Sequence, residues 1–156
     1  MQREFPYILR SFVEADKPFI YNSYMFSYHD YSDLRIVPKI LYNTNQLEVI
    51  NWLFAHAEIL IICFPEEPDA IIGYIIHQIV NNVLIIHYVY IKNSFRGQGM
   101  FQKIVEPLVP LTTEETTTVI ATHITTGYFK VRNKINKVIM TYDPYLITNW
   151  RLNAAR

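Results

Sequence analysis

The spacing of apolar and polar residues divides the chain into ten predicted elements. Short runs rich in branched and aromatic residues predict six strands, at residues 5–13, 58–64, 70–80, 83–92, 116–125 and 138–142. Apolar residues at helical offsets predict four helices, at residues 18–31, 44–56, 99–108 and 127–137. Residues 36–42 fit neither period. The order β-α-α-β-β-β-α-β-α-β indicates an α/β or α+β fold in which helices pack on a sheet.

Local signals agree with several of these bounds. Asp16 is placed to cap a helix that has Pro18 in its first turn. Asn81 and Asn82 separate two apolar runs and predict a tight hairpin turn. The three strands between residues 58 and 92 are therefore expected to be successive and antiparallel.

Composition narrows the class of protein. The 156 residues are 51% hydrophobic and 18% charged, so residues 1–156 fit one domain with a buried core, and disorder is excluded. No apolar run reaches the ~18–20 residues of a membrane span. The first residues lack the apolar core of a signal peptide, so we expect a cytoplasmic protein without membrane contact. Cys63 has no disulfide partner and the five histidines are scattered, so we expect no metal site.

Charge is distributed unevenly along the chain. Residues 1–127 hold 8 basic and 13 acidic residues, whereas residues 128–156 hold 6 basic residues and one acidic residue, Asp143. The basic end either attracts a phosphate-rich ligand or forms a solvated helix face and a frayed tail. The net charge of zero argues against a general nucleic-acid binder.

The segment after residue 92 carries the clearest chemical signal. A predicted strand ends there, a loop with Arg96, Gly97 and Gly99 follows, and a helix begins directly. Such a turn directs free backbone N–H groups and the positive end of the helix dipole at one point, which suits a phosphate. Glycine permits positive φ and a close approach of the ligand to the backbone. The loop is not a Walker motif, because no Lys-Ser/Thr pair follows the glycines, and it is not a dinucleotide fingerprint, because the third glycine and a parallel βαβ context are missing.

Residues 95–101, Phe-Arg-Gly-Gln-Gly-Met-Phe, resemble the acyl-CoA pyrophosphate loop of the GCN5-related N-acetyltransferase (GNAT) superfamily. Arg96 and Gly99 match the family pattern Arg/Gln-x-x-Gly-x-Gly/Ala, and the loop follows the fourth strand, as in that family. The resemblance implies a mixed, mostly antiparallel twisted sheet with helices on both faces, and transfer of acetyl from acetyl-CoA to an amine. It implies that the backbone near Tyr90 and Ile91 receives the pantetheine arm. The implied pyrophosphate loop comprises Arg96, Gly97, Gln98, Gly99, Met100 and Phe101.

Direct acyl transfer needs a base for the ammonium proton and an acid for the departing thiolate. The resemblance implies a base on the fourth strand or its neighbour, where His87, His77 and His123 are the candidates, and a tyrosine acid, here Tyr128. By strand alternation His87 is expected to share a face with Val89 and Ile91. As an alternative to a base, a histidine inside an apolar strand is a satisfied core or edge residue. Tyr128 is alternatively an aromatic that packs on the sheet.

Two departures from the family keep other functions open. Phe101 stands where the family has a small residue, and the family's late Asn, Tyr and Gly-Phe motif is absent around Thr125 to Tyr128. A non-catalytic binding or assembly protein of this fold is one alternative. Another is a viral (phage) type of protein that modifies DNA bases, which the 12 tyrosines and the basic end would suit.

The acceptor amine, small molecule or protein, is not encoded in a readable motif. Tyrosines of the first helix lie where the family covers its acceptor, although core packing explains them equally well. These residues and one histidine are Tyr21, Tyr24, Tyr28, His29 and Tyr31. An apolar, tyrosine-rich surface is compatible with a homodimer.

Overall fold

The computed structural model describes residues 5–109, 117–135 and 137–154. Within these residues the chain forms six strands and five helices, together with short 3-10 turns. The strands are β1 (Ile8–Ser11), β2 (Glu58–Cys63), β3 (Ile71–Val80), β4 (Val83–Ile91), β5 (Thr117–Ala121) and β6 (Val138–Tyr142). The helices are α1 (Lys17–Asp30), α2 (Lys39–His56), α3 (Met100–Val105), α4 (Thr126–Val131) and α5 (Leu146–Ala154).

The strands form one mixed sheet in the order β1-β2-β3-β4-β5-β6. Neighbours from β1 to β4 are antiparallel, whereas β4 with β5 and β5 with β6 are parallel. The predicted element order and the mostly antiparallel sheet are confirmed. Asn81 and Asn82 have φ of 50° and 63°, so they make the tight turn between β3 and β4 that the sequence indicated.

Several predicted bounds are wrong. Helix α2 begins at Lys39, directly after Pro38, so most of the ambiguous segment 36–42 is helical. Strand β5 ends at Ala121 instead of residue 125, and residue 116 lies outside the described residues. Helix α4 covers six residues instead of the predicted 127–137, of which residue 136 is not described. Helix α5 was not predicted, since its short amphipathic run resembles a tail by composition.

Helices cover both faces of the sheet, as expected. On one face α1 and α2 bury Ile20, Tyr24 and Leu53 against Ile61 and Tyr74 of the sheet. On the other face α3 contributes the buried residues of a second cluster, which are Met100, Ile104 and Val105. At ~25 cal/mol per Å² of apolar surface, these two clusters supply the main favourable free energy of folding.

The start of α1 differs from the capping that the sequence predicts. Asp16 occupies the N-cap position with Pro in the first turn, but its carboxylate makes no cap bond to the helix. It accepts two hydrogen bonds from Arg10, at 2.7 and 2.8 Å, and one from the backbone N–H of Val13. The Arg10 guanidinium holds the pKa of Asp16 below its ordinary value. Asp16 therefore joins β1 to α1 through an ion pair that is shielded from solvent.

Three features of the described residues relate to the composition: the single cysteine, the length of the helices and the clustering of metal-ligating side chains. Cys63 is buried and unpaired there. Among the described helices, none is both long and apolar enough to cross a bilayer. Residues 5–109, 117–135 and 137–154 contain no cluster of three or more His, Cys, Asp or Glu side chains that could hold a metal ion.

Candidate functional site

Strands β4 and β5 pair over only a short distance and then separate. The parallel ladder pairs Ile85 with Ile120 and Ile86 with Ala121, and Thr122 N–H donates to the carbonyl of Ile86 at 3.1 Å. Beyond this point β4 continues to Ile91, whereas β5 has ended. The carboxyl-terminal half of β4 consequently faces an opening on the β5 side.

A cleft of about 590 Å³ occupies this opening. Its walls come from β4, from the turn that precedes α3, and from the segment between β5 and α4. Its volume lies within the range of sites for small molecules and cofactors. The residues that the sequence analysis singled out, and that line it, are His87, Tyr90, Ile91, Arg96, Gly97, Gly99, Met100, Phe101, His123 and Tyr128.

Backbone groups of β4 border the cleft. Lys92 N–H donates to the Ile72 carbonyl on β3, so residues 90 and 92 direct their amides toward β3. By the alternation of the ladder, Val89 and Ile91 direct theirs away from β3 and into the cleft. Tyr90 instead packs its ring on Tyr74, with the centroids 5.6 Å apart. Of the two residues expected to meet an extended ligand, Ile91 presents its backbone there and Tyr90 does not.

The turn before α3 has the backbone conformation expected of a ligand-binding loop. Gly97 and Gly99 have φ of 76° and 75°, in the left-handed region that disfavours side chains. The first N–H groups of a helix have no intrahelical acceptor, and Gly99, the N-cap of α3, has no side chain to accept from them. Arg96 extends its side chain across the turn, where its Nε donates to the Ile91 carbonyl at 2.9 Å. Gln98 turns away and donates to the Ser94 carbonyl.

Positive charge gathers around the same turn. The Arg96 guanidinium lies 5.2 Å from the centre of the Tyr31 ring at the end of α1. Lys130 and Lys134, from the basic end of the chain, line the cleft. Another basic residue, Arg151 of α5, pairs with Glu48 of α2 at 2.8 Å and does not line the cleft. Part of the basic segment thus faces the cleft, and part of it fixes α5 to α2.

Phe101 and Tyr128 stand on opposite walls of the cleft. Phe101 is half-buried and packs against the cluster beneath α3. Tyr128 lies on α4, where its hydroxyl donates to the Met140 carbonyl of β6 at 3.2 Å. A tyrosine hydroxyl has one proton and two lone pairs, so this oxygen can also accept a hydrogen bond from the cleft side.

His87 does not follow the alternation that the sequence predicts. The β3–β4 register shifts at Ile76 and His77, and His87 is the extra residue of β4 at the resulting bulge. Ile86, one position earlier, packs in the α3 cluster with Val89 and Ile91. His87 instead meets Trp150 of α5, with the ring centroids 6.3 Å apart. The bulge moves His87 to the other face of the sheet, and no residue type in the sequence predicts it.

The imidazoles of His87 and His123 are joined through one hydroxyl. Thr122 Oγ1 lies 2.9 Å from Nδ1 of His87 and 2.9 Å from Nδ1 of His123. His87 Nε2 is 2.7 Å from Gln78 Oε1, and His123 Nε2 is 3.0 Å from the Tyr24 hydroxyl. All four ring nitrogens therefore have protein partners.

Burial keeps both rings neutral. It lowers the pKa of His87 to about 3, with smaller contributions from His123 and His77, and it lowers the pKa of His123 to about 4. Neutral imidazoles in these positions have the protonation state that a general base needs at pH 7. His77 does not line the cleft, and its Nε2 lies 3.5 Å from Glu58 at the sheet surface.

The tyrosines of α1 divide into two groups. Tyr24 and Tyr28 are buried in the core, and burial raises the pKa of both hydroxyls. Tyr31 lines the cleft and also a neighbouring pocket of about 310 Å³. His29 is buried against Tyr42, at 4.7 Å between ring centres, and Tyr21 packs at the edge of the core. Core packing thus accounts for most of this aromatic run.

Sequence reasoning missed the residues that link the two histidines. Thr122, Tyr24 and Gln78 are polar groups from three different elements, and no spacing in the chain relates them. Thr122 directly precedes His123, which is the one local signal that the pair belongs together.

No protein-family model matches the chain, and no curated protein matches its sequence. Solved structures do match. A proposed acetyl transferase from Pyrococcus furiosus aligns over 96% of this chain and 92% of its own, with a TM-score of 0.53 and 10% identity. A candidate acetyltransferase from Clostridium difficile aligns over 96% and 88%, with a TM-score of 0.49 and 10% identity. A ribosomal L7/L12 α-N-protein acetyltransferase in complex with coenzyme A aligns over 67% and 62%, with a TM-score of 0.41 and 15% identity.

The likeness to the Pyrococcus structure spans almost the whole of both chains. The chain has the fold of the GNAT acetyltransferases, as the sequence resemblance implied. The alternative of a viral type of protein gains no support from these likenesses.

Proposed function

We propose that the protein is an acyl-CoA-dependent N-acyltransferase that uses acetyl-CoA and passes the acetyl group directly to an amine. The observation that carries this proposal is the coincidence of two features at one place. Strands β4 and β5 separate after Ile86, and the Arg96–Gly99 turn closes the same end of the opening. A long ligand with an amide-bearing arm and a pyrophosphate suits both features.

The arm would lie along β4. The backbone groups of Val89 and Ile91 face the opening and would bond the pantetheine amides in the manner of an added strand. Arg96 already occupies the Ile91 carbonyl, at 2.9 Å from its Nε, so ligand binding would exchange this contact for one with the pyrophosphate. The exchange places a cation beside the phosphates without moving the backbone.

The pyrophosphate would lie at the turn. The two positive-φ glycines leave their backbone uncovered, and a Cβ at Gly97 would meet nothing within 4 Å. Lys130 and Lys134 add positive charge from the opposite wall. In this proposal Gln98, Met100 and Phe101 complete the loop, and the ring of Phe101 narrows the cleft where a smaller residue would widen it.

The chemistry would need no protein nucleophile, because a thioester is already activated. A neutral histidine, His123 or His87, would accept the proton of the acceptor's ammonium group, and Tyr128 would protonate the departing thiolate. For this step the Tyr128 hydroxyl would turn its O–H from the Met140 carbonyl to the sulfur. The pocket beside Tyr31 would receive the acceptor, since it adjoins the cleft at Thr125 and Thr126.

Binding and transfer test the proposal separately. Isothermal calorimetry should show acetyl-CoA binding, and dephospho-CoA serves as a comparison ligand that keeps the pyrophosphate. A panel of small amines and peptide N-termini should then release free thiol only when protein and acceptor are both present. Absence of heat at millimolar acetyl-CoA contradicts the proposal outright.

One observation favours a second candidate, a protein that binds acyl-CoA without catalysis. Both nitrogens of His87 and of His123 lie within hydrogen-bond distance of protein atoms, so an acceptor meets no unpartnered ring nitrogen at rest. Binding of acetyl-CoA together with no thiol release across the panel would select this candidate over the transferase.

A further inference from the structure

A chain of side-chain hydrogen bonds runs along the wall of the cleft from α2 to β3. Its six members are, in order, Gln46, Tyr24, His123, Thr122, His87 and Gln78. The five distances between successive polar atoms lie between 2.7 and 3.0 Å. Thr122 and His87 are buried, and both histidines line the cleft.

The ends of the chain are both acceptors. The Tyr24 hydroxyl donates to Gln46 Oε1 at 2.7 Å. At the other end Gln78 Oε1 faces His87 Nε2, and its orientation is supported because Gln78 Nε2 donates to the His56 carbonyl at 3.1 Å. Protons for all five bonds must therefore come from the four residues between the two amides.

Those four residues are one proton short when neutral. Tyr24 and Thr122 each have one hydroxyl proton, and a neutral imidazole has one N–H, so His87 and His123 add one each. Four protons face five hydrogen bonds, and one pair of neighbouring atoms must then oppose lone pairs. One added proton on either imidazole fills every bond, because the protons of the chain can shift along it.

The groups around the two histidines keep the fifth hydrogen bond without a proton at neutral pH. Tyr28 and Tyr24 of α1 lie 4.8 and 5.8 Å from the His123 ring, and Tyr88 of β4 lies 6.2 Å from it, all between ring centres. Their hydroxyls are uncharged, because burial raises the pKa of each.

The groups around His87 are equally apolar or uncharged. Trp150 of α5 lies against its ring, and the neighbouring β3 histidine, His77, has a pKa lowered by burial. Beyond His77 lies the charged group Glu58, which contacts His77 and is exposed to solvent. Burial without a facing carboxylate lowers the pKa of His87 and of His123, so the six hydrogen-bonded side chains carry no charge at rest.

We propose that Thr122 couples His87 and His123 into one unit that takes up a single shared proton. Within the proposed acyl transfer, on which this part rests, the unit accepts the proton of the acceptor's ammonium group. The N–H bond breaks, the nitrogen keeps the electron pair and becomes the nucleophile, and the proton fills the vacant bond until it is released to water. Thr122 is then a positioning residue that acts through the two imidazoles.

Histidine side-chain ¹⁵N NMR on the full chain tests the coupling between pH 8 and pH 3. His87 and His123 should change together and account for one proton between them. Thr122→Val keeps the branched shape but neither donates nor accepts, so the two rings should change at separate pH values. Thr122→Ser should restore the joint change, and Thr118→Val, at an exposed site on β5 just before Thr122, should behave as the wild type.

Each other outcome overturns the proposal. Separate titration in the wild type, or a joint change that survives Thr122→Val, shows that Thr122 does not couple the rings. No proton uptake while the fold persists shows that the chain is already complete, as it would be if the Gln46 amide were rotated to donate. Circular dichroism of each variant verifies the fold.

An activity measurement extends the test to catalysis. Thr122→Val should lower kcat about tenfold or more with the KM for acetyl-CoA unchanged, and Thr122→Ser should recover most of it. An equal loss in both variants, or a loss confined to KM, contradicts the positioning role. The titration needs no substrate, so a failed amine panel would overturn the proposed function without deciding the coupling.

Discussion

The sharpest perturbation of the proposed cofactor site is a single charge at Gly99. A Cβ at this position would lie 3.8 Å from Gln102 Oε1, which is an ordinary contact, so a short side chain fits. The φ of 75° is one that Asn and Asp adopt more readily than other residues. Gly99→Asn and Gly99→Asp therefore form a matched pair, with similar shape and backbone strain but different charge.

The expected effect follows from Coulomb's law. A carboxylate at Gly99 would stand about 4–6 Å from a pyrophosphate held at the start of α3. One pair of like charges 4 Å apart costs about 1 kcal/mol in bulk water and about 4 kcal/mol at an effective dielectric constant of ~20. Each 1.4 kcal/mol is tenfold in affinity, so Gly99→Asp should bind acetyl-CoA about 5-fold to 1,000-fold more weakly than Gly99→Asn.

Calorimetric titration of both variants with acetyl-CoA measures this ratio directly. Raising the salt concentration should shrink the ratio, because the turn is exposed and its charges are screened. Equal affinities of the Asn and Asp variants at low salt would refute the placement of the pyrophosphate at this turn. Thermal unfolding of the pair shows whether any loss comes from the fold instead.

Three further predictions concern stability. At Gly73 a Cβ would clash with the carbonyl oxygen of Tyr90 on β4, so Gly73→Ala should lower the free energy of unfolding by about 1–3 kcal/mol in urea titrations. Gly127→Ala, where the nearest contact of a Cβ would be 3.4 Å, should leave it unchanged. Asp16→Asn should cost about 1–3 kcal/mol at pH 7. Because the pKa of Asp16 is lowered in the fold, that difference should begin to shrink below about pH 4 and be lost as pH falls through the folded pKa, and a difference that does not shrink at all below about pH 4 contradicts the ion pair. Because the pKa values of His87 and His123 are lowered in the fold, the unfolded chain binds more protons than the folded chain below about pH 6.5. The free energy of unfolding should therefore be about 2–3 kcal/mol smaller at pH 5.5 than at pH 8. A constant value across this range would show that the two rings are not buried in neutral form.

Local sequence patterns were sufficient for most of the architecture. Alternation and apolar runs located the sheet strands, and the Asn81-Asn82 pair located the β3–β4 hairpin, because side-chain period and turn chemistry are local properties. The Arg96–Gly99 turn could be recognised for the same reason, since positive φ demands glycine. Helix α5 escaped prediction because its packing partners, among them Glu48, are about a hundred residues away.

The candidate site depended on contacts between distant segments. The order of the predicted elements and the phosphate-suited turn could be read from the sequence alone, because both follow from neighbours along the chain. Three other features appear only in the folded molecule: β5 leaves β4 at Thr122, a bulge turns His87 to the other face, and one hydroxyl joins His87 to His123. Register, bulges and buried hydrogen bonds are set by pairing across the sheet, where residues far apart in sequence compete for the same partners.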